Sequence, residues 1–428
     1  MVQENTSMKK VAVIGAGAAG LTATKRITEL GSGFECCTFE LSDNVGGTWV
    51  YTDKTGKDEY GVPVHSSMYQ GLRTNLPKEI MELPELSHKG PENRSYLTSA
   101  EILQYFEDYA DHFNLRQYIK FRHYVKTIVP MPNGRWKIKV NDLKRQKDCI
   151  YYFDAVVMCI GNYSNPVIPK IDNIENFNGV QMHSHDYKEP SKFKGQKVIV
   201  IGSGSSGLDI SCQICGAAET VYLSHHNDKI RTIQFPDNLE QKPDIEKIRD
   251  GKVVFADGTE VSADAILYCT GYTYKYPFLD PECKITVENM VVKPLYKHFI
   301  NIEHPTMCII GIPRDCPGFT LFDLQVRCFL NTLKGTVQLP SKESMYAETE
   351  QEMSERVKVI GKEKYYHILN KYAKTYFDSV SEFGKLPFTK PVVFDIYFSG
   401  LERAMKDFQN FRNRIYKLIN DQEYMVRE

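Results

Sequence analysis

The stretch KKVAVIGAGAAGLTATKRITEL, residues 9 to 30, decides the fold. Its apolar run from Val11 to Ile14 reads as a buried strand, its three glycines as a tight turn, and its remainder as a helix. The spacing G-x-G-x-x-G gives each glycine a task. Gly15 permits the turn, Gly17 lets the backbone approach a pyrophosphate, and Gly20 lets helix and strand pack closely. With the intervening Ala16, Ala18 and Ala19, the loop faces the helix N-terminus toward an anion. CCTFE, residues 36 to 40, closes a second strand on Glu40, where a carboxylate can accept hydrogen bonds from ribose hydroxyls.

The same grammar recurs at GQKVIVIGSGSSGLDISCQI, residues 195 to 214. Gly202, Gly204 and Gly207 stand between a Val/Ile strand and a helix that opens with Ser205, Ser206, Leu208 and Asp209. Each half also closes alike. FDAVVMCIG (153 to 161) and ADAILYCTG (263 to 271) both follow a polar hairpin, around Asn133-Gly134 and Asp257-Gly258, and run as a core strand into glycine. The period is too long for a solenoid and marks a duplicated dinucleotide-binding unit. Two dinucleotides side by side imply electron transfer, with FAD and a nicotinamide the natural pair. DNVGGTW (43 to 49) adds Gly46 and Gly47 as a backbone nest beside Thr48 and Trp49, suited to a flavin's phosphates and ring. In the second unit TVYLS ends at Ser224 rather than an acid, and His225, His226, Lys229 and Arg231 follow. A hydroxyl with nearby cations tolerates a 2'-phosphate, which favours NADPH over NADH.

The bulk composition agrees with this small-molecule chemistry. A chain of 428 residues is long enough for two or three units with sizeable cores. Its 53 Lys plus Arg against 54 Asp plus Glu leave no electrostatic footprint for nucleic acid or an anionic membrane. The N-terminus MVQENTSMKK is polar and runs straight into a strand, and no stretch approaches the roughly 18 apolar residues of a membrane span. Several of the 11 cysteines sit in apolar runs, where free thiols act as small hydrophobes. The expectation is a soluble protein in a reducing, cytoplasmic setting as the sequence stands, or a secreted one if a signal peptide was removed. His183 and His185 are two apart, poorly placed as a helical metal pair, so no metal site is expected.

A more specific signal lies just ahead of the second glycine loop, in FNGVQMHSHDYK (177 to 188). Phe177, Gly179, His183, Tyr187 and Lys188 fit F-x-G-x-x-x-H-x-x-x-Y-K, and on this fingerprint the chain resembles the class B flavin-dependent monooxygenases, within them the flavin-containing monooxygenase family. Baeyer-Villiger relatives usually carry Trp where Tyr187 stands, so the resemblance leans to heteroatom oxygenators. PVHSSMYQGLRTNLPKEIM (63 to 81) is similar to the family segment that lines the flavin, which nominates His65, Thr74 and Asn75. CTGY (269 to 272) matches the return from the NADPH domain, and FTLFDLQVR (319 to 327) is similar to a late active-site segment containing Gln325. The family often has Arg directly after the second strand, where His225 or His226 stands here. Vertebrate members end in an apolar membrane tail, whereas RIYKLINDQEYMVRE is polar, and like soluble insect members the chain is also short between the second glycine loop and CTGY, with no large insertion.

The resemblance implies an α/β chain with two Rossmann-like domains, an FAD domain carrying an inserted NADPH domain, and a helical C-terminal part. The expected boundaries are 1–165 and 279–428 for the two parts of the FAD domain and 166–278 for the NADPH domain. FAD would be reduced by NADPH, O2 would add at the flavin C4a carbon, and a tertiary amine or sulfide would attack the resulting hydroperoxide. Pyrrolizidine alkaloids, detoxified as N-oxides, are the leading substrates on likeness to insect members. Such chemistry needs positioning more than acid-base work. Asn75 is therefore the candidate catalytic residue, since an amide can donate and accept hydrogen bonds without supplying a proton. A homo-oligomer stays open. So do three other readings: a Baeyer-Villiger oxygenase, a disulfide reductase using Cys212 and Cys215, and a non-catalytic flavin-binding or interaction protein suggested by the aromatic, charged stretch 395–419.

Overall fold

Val11 to Ile14 run through the middle of a seven-stranded sheet in a computed structural model that describes residues 8–427. The polar N-terminal lead MVQENTS, residues 1–7, lies outside the described residues. Lys9–Ile14 pairs in parallel with Phe34–Phe39 on one side and Ala155–Met158 on the other. Ile119–Lys120 extends the sheet at one edge, and Met307–Ile309, Ile300–Asn301 and Leu295–Tyr296 extend it at the other. Parallel strands of this kind are covered on both faces, which is why the run reads as continuously apolar.

The two faces are covered differently. Val11, Val13 and Val157 pack against the helix Ala18–Thr28 and the later helix Gly318–Leu333, with Ala23, Ile27, Leu321 and Phe329 in the same core. Arg26 Nε donates to Asp323 Oδ1 at 2.6 Å and clips the two helices together. On the other face, Ala12, Ile14, Val156 and Met158 meet Ile128, Trp136, Ile138 and Val140 from a three-stranded antiparallel sheet, His123–Pro130, Trp136–Asp142 and Lys147–Phe153.

The second unit repeats this plan. Five parallel strands lie in the order Leu239–Lys242, Thr220–Ser224, Lys197–Ile201, Ala265–Tyr268, Val180–His183. Val198 and Val200 face Leu208, Ile210 and Ile214 of the helix Ser205–Cys215, while Ile199 and Ile266 face Ile248, Val253 and Phe255 of a second antiparallel triplet. The duplication therefore extends to the layer arrangement. The two hairpins do not correspond as the sequence suggested: Asn133-Gly134 joins the first two strands of one triplet, whereas Asp257-Gly258 joins the last two of the other. FNGVQMHSHDYK contributes to the second sheet itself, because Val180–His183 is one of its edge strands.

The C-terminal part contributes the helices Lys342–Ile360, Ala373–Phe383 and Pro391–Lys406. Within the aromatic, charged stretch 395–419 the helix ends at Lys406. Asp407 turns extended, its carboxylate accepts the Asn410 N–H at 3.2 Å, and Ile415–Leu418 pairs with Tyr424–Arg427 as a hairpin. Among the described residues no helix is long and apolar enough to cross a membrane.

Candidate active site

Gly15 and Gly202 turn at φ of 98° and 106°, a left-handed region that a side chain strains to adopt. A Cβ at either would drive into a carbonyl oxygen, that of Cys159 or Cys269, at the end of the corresponding closing strand. A Cβ at Gly20 would strike the Gly15 carbonyl, and one at Gly207 the Gly202 carbonyl. These four glycines serve the protein's own packing. The middle glycines behave otherwise. Nothing lies within 4 Å of a Cβ built on Gly204, and on Gly17 the nearest atom is the Gly47 Cα at 3.5 Å.

The protein thus leaves open the space that a Cβ would fill at each middle position. Gly17 and Gly204 are also the N-caps of their helices, and neither helix has a side-chain cap bond. The first-turn N–H groups and the positive ends of two helix dipoles are therefore offered to a ligand. Gly204 and Ser205 are exposed and Ser206 is half-buried. Both cradles fit the pyrophosphate of a dinucleotide.

Around the first cradle, Glu40 is held at the loop mouth. Its Oε2 accepts the Ala16 N–H at 2.7 Å, and its Oε1 accepts the N–H and hydroxyl of Ser42, each at 2.8 Å. The Gly46 N–H donates to the Ala16 carbonyl at 3.0 Å, which lays the Gly46-Gly47 turn against the cradle. Ser66 donates to the carbonyls of Thr48 and Val50 at 3.0 and 2.6 Å, joining residues 47–49 to the 63–81 segment. Thr48, Trp49 and His65 are half-buried beside them.

Four nominated residues are turned inward, with their polar side-chain atoms bonded within the protein. Ser224 is fully buried and donates its hydroxyl to the Pro243 carbonyl at 2.9 Å. His225 is 3% exposed, with Nε2 paired to Gln241 Oε1 at 2.9 Å and Nδ1 accepting the Asn227 N–H at 3.1 Å, so both ring nitrogens are spent. Gln325 is fully buried, accepting the Gly311 N–H and donating to the Tyr376 hydroxyl. Thr74 is 1% exposed and its hydroxyl accepts the Leu97 N–H at 3.1 Å. Beyond the strand, Lys229 is exposed, while Arg231 is paired with Asp228 and His226 with Asp244.

The fingerprint residues act as a clasp. Gly179 has no room for a Cβ because the Phe177 ring and the Asp264 carbonyl close over it. His183 Nδ1 accepts the His185 N–H and its Nε2 donates to the Gly271 carbonyl, both at 3.1 Å, which fixes one neutral tautomer. Burial, only partly opposed by that carbonyl, pulls its pKa down to about 4. Lys188 is 3% exposed and its Nζ donates to the Met68 carbonyl at 3.1 Å, while the Gln70 N–H donates to the Lys188 carbonyl at 2.8 Å. The Tyr187 ring stands edge-on to Tyr69 at 5.4 Å.

Asn75 is exposed on the same 63–81 segment. Its Oδ1 accepts from Arg412 Nη2 at 2.7 Å, and Arg412 Nη1 reaches Asp209 Oδ1 at 2.7 Å. Asp209 Oδ2 accepts the Tyr69 hydroxyl at 2.7 Å, so both of its oxygens are engaged. Sequence reasoning missed Arg412, which lies in the C-terminal stretch and belongs to no motif. Cys212 and Cys215 lie on one helix as free thiols, and burial pushes them up to about 12 and about 11, far from the thiolate that disulfide exchange requires.

Comparison with known proteins adds to this geometry. The family model described as flavin-binding monooxygenase-like matches residues 8–232 and 226–417. The chain is 39% identical to the flavin-containing monooxygenase FMO GS-OX-like 1 of Arabidopsis thaliana over 79% of this chain and 75% of that one. It is 31% identical to the senecionine N-oxygenase of Tyria jacobaeae over 99% of this chain and 93% of the relative. Among solved structures, the S-allyl-L-cysteine S-oxygenase of Allium sativum superposes with a TM-score of 0.87 at 30% identity, covering 95% of each chain.

Proposed function

The chain belongs to the flavin-binding monooxygenase family, and on that premise we propose that it N-oxygenates tertiary amines, with pyrrolizidine alkaloids the leading substrates. As a member it is an oxidoreductase that works with FAD and NADPH and transfers oxygen from O2 to a small molecule. In this reading the cradle from Gly15 to Gly20, with Glu40, holds FAD. The cradle from Gly202 to Gly207 holds NADPH, and Lys229 supplies charge for its 2'-phosphate. The open space at Gly17 and Gly204 supports both assignments. FAD, once reduced by NADPH, supplies the activation of O2.

What remains for the chain is positioning. Asn75 offers an N–H donor at the site without a transferable proton, and the fingerprint clasp holds the two cradles in register. The domain boundaries 1–165, 166–278 and 279–428 stand as part of the same reading, supported by the second sheet lying wholly between Val180 and Tyr268. The substrate class rests on one observation, the near full-length likeness to an enzyme that N-oxygenates senecionine. A polar N-oxide product fits a detoxifying role. The equally extensive likeness to a garlic S-oxygenase favours sulfoxidation as a second activity. Comparing kcat/KM for a pyrrolizidine alkaloid, a simple tertiary amine, a thioether and a cyclic ketone tests the proposal. The highest value with the alkaloid supports it, the highest with the thioether exchanges it for S-oxygenation, and lactone as the main product transfers the chain to the Baeyer-Villiger reading.

A further inference from the structure

We propose that Arg412 is a positioning residue for oxygen transfer: it fixes the amide of Asn75 with the NH2 group turned outward as a donor. The inference rests on the reading of Asn75 as the key polar group of the site. Asn75 and Arg412 are 337 residues apart, and the guanidinium arrives from the turn Phe411–Asn413, behind the last long helix.

The chemistry of the pair decides the orientation. A guanidinium has five N–H donors and no acceptor, so the Asn75 amide can meet it only through Oδ1. Its Nδ2 must then point away, and Asn75 is exposed, so the donor faces the open side. Without such a partner the two ends of an amide are nearly isosteric and a half-turn exchanges donor for acceptor.

Arg412 is itself held from several directions. Nη1 pairs with Asp209 at 2.7 Å, Nε donates to the Thr74 carbonyl at 3.1 Å, and its own carbonyl accepts from Arg73 at 3.0 Å. The guanidinium carbon lies 4.7 Å from the centre of the Phe411 ring, and the Arg412 and Asp209 side chains are only 13% and 11% exposed. The fork thus spends separate donors on Asn75, on the backbone beside it, and on the helix that follows the second glycine loop. A lysine could not replace this planar set of bonds. Because Asp209 belongs to the NADPH-side helix, the donor would be oriented only when the 63–81 segment, that helix and the C-terminal turn are all in place.

The test measures product and hydrogen peroxide formed per NADPH, together with the rate of flavin reduction, in FAD-loaded enzyme. Arg412→Gln should leave flavin reduction near the parent rate and lower the product-to-peroxide ratio about tenfold, the value of one ordinary hydrogen bond. Asn75→Ala should do the same, and the double variant should be no worse than Asn75→Ala alone. Asn75→Asp retains an acceptor for Arg412 but has no donor to present, so it should also uncouple while keeping the parent's flavin content and Tm. It serves if Arg412→Gln fails to fold. Additive losses in the double variant, or a fully coupled Asn75→Asp, overturn the proposal. A fully coupled Asn75→Ala overturns instead the reading of Asn75 on which it rests, and a coupled Arg412→Gln beside an uncoupled Asn75→Ala rejects the role of Arg412 alone.

Discussion

Lys188 buries its ammonium against the carbonyl of Met68, 3.1 Å away, and by that bond the fingerprint strand of the second sheet grips the segment that carries Asn75. Burial lowers its pKa, as expected for a cation taken out of water. Lys188→Met should keep the chain length and lose the donor. Since bonds from charged groups contribute about 1.5–3 kcal/mol, Tm should fall and the KM for NADPH should rise while FAD stays bound. Thermal unfolding and steady-state kinetics check this; an unchanged KM would separate the clasp from cofactor alignment.

His183 gives a pH signature. Its folded pKa of about 4 lies below the ordinary 6.5, so the unfolded chain binds the proton more readily. The stability this group contributes is fully present above pH 6.5 and is lost as pH falls toward 4. His183→Gln can keep both hydrogen bonds without titrating. The stability difference between parent and variant should therefore shift in the variant's favour across that window, as read by denaturant unfolding at a series of pH values.

The two middle glycines predict a pair of opposite phenotypes. Gly17→Val should yield a folded but colourless protein, whereas Gly204→Val should stay yellow and lose NADPH-driven reduction. Gly207→Ala should instead lose stability outright, because its Cβ meets the Gly202 carbonyl. Absorbance of the bound flavin and anaerobic reduction rates distinguish the three.

NADPH should outperform NADH, and the preference should depend on Lys229 rather than on Ser224. Lys229→Ala should narrow the ratio of kcat/KM values by about tenfold, in line with the loss of one charged contact. Ser224→Ala should leave the ratio unchanged, because its hydroxyl is committed to the Pro243 carbonyl.

How much of this was legible depends on the range of the interactions. The glycine loops could be read directly, because Gly15, Gly20, Gly202 and Gly207 are constrained by atoms a turn away or at the end of one closing strand. The burial of Ser224 and His225 was not legible because it is imposed by Leu239–Lys242, a parallel strand added beside their own, whose Gln241 and neighbouring Pro243 absorb their polar atoms. The burial of Gln325 was hidden for a similar reason: its position in a segment said nothing about which side of the helix faces the core. Arg412 was invisible because its partners, Asn75 and Asp209, lie in two other parts of the chain and no local pattern connects them.

The central claim is that the chain moves an oxygen atom from O2 onto a tertiary amine nitrogen at the expense of NADPH. The most direct measurement is mass analysis of the product formed from a pyrrolizidine alkaloid under isotopically labelled O2, with NADPH consumption followed in the same vessel. The account predicts an N-oxide carrying one labelled oxygen, formed in near-equal amount to the NADPH consumed. NADPH consumed with only hydrogen peroxide formed, or an N-oxide whose oxygen comes from water, would contradict it.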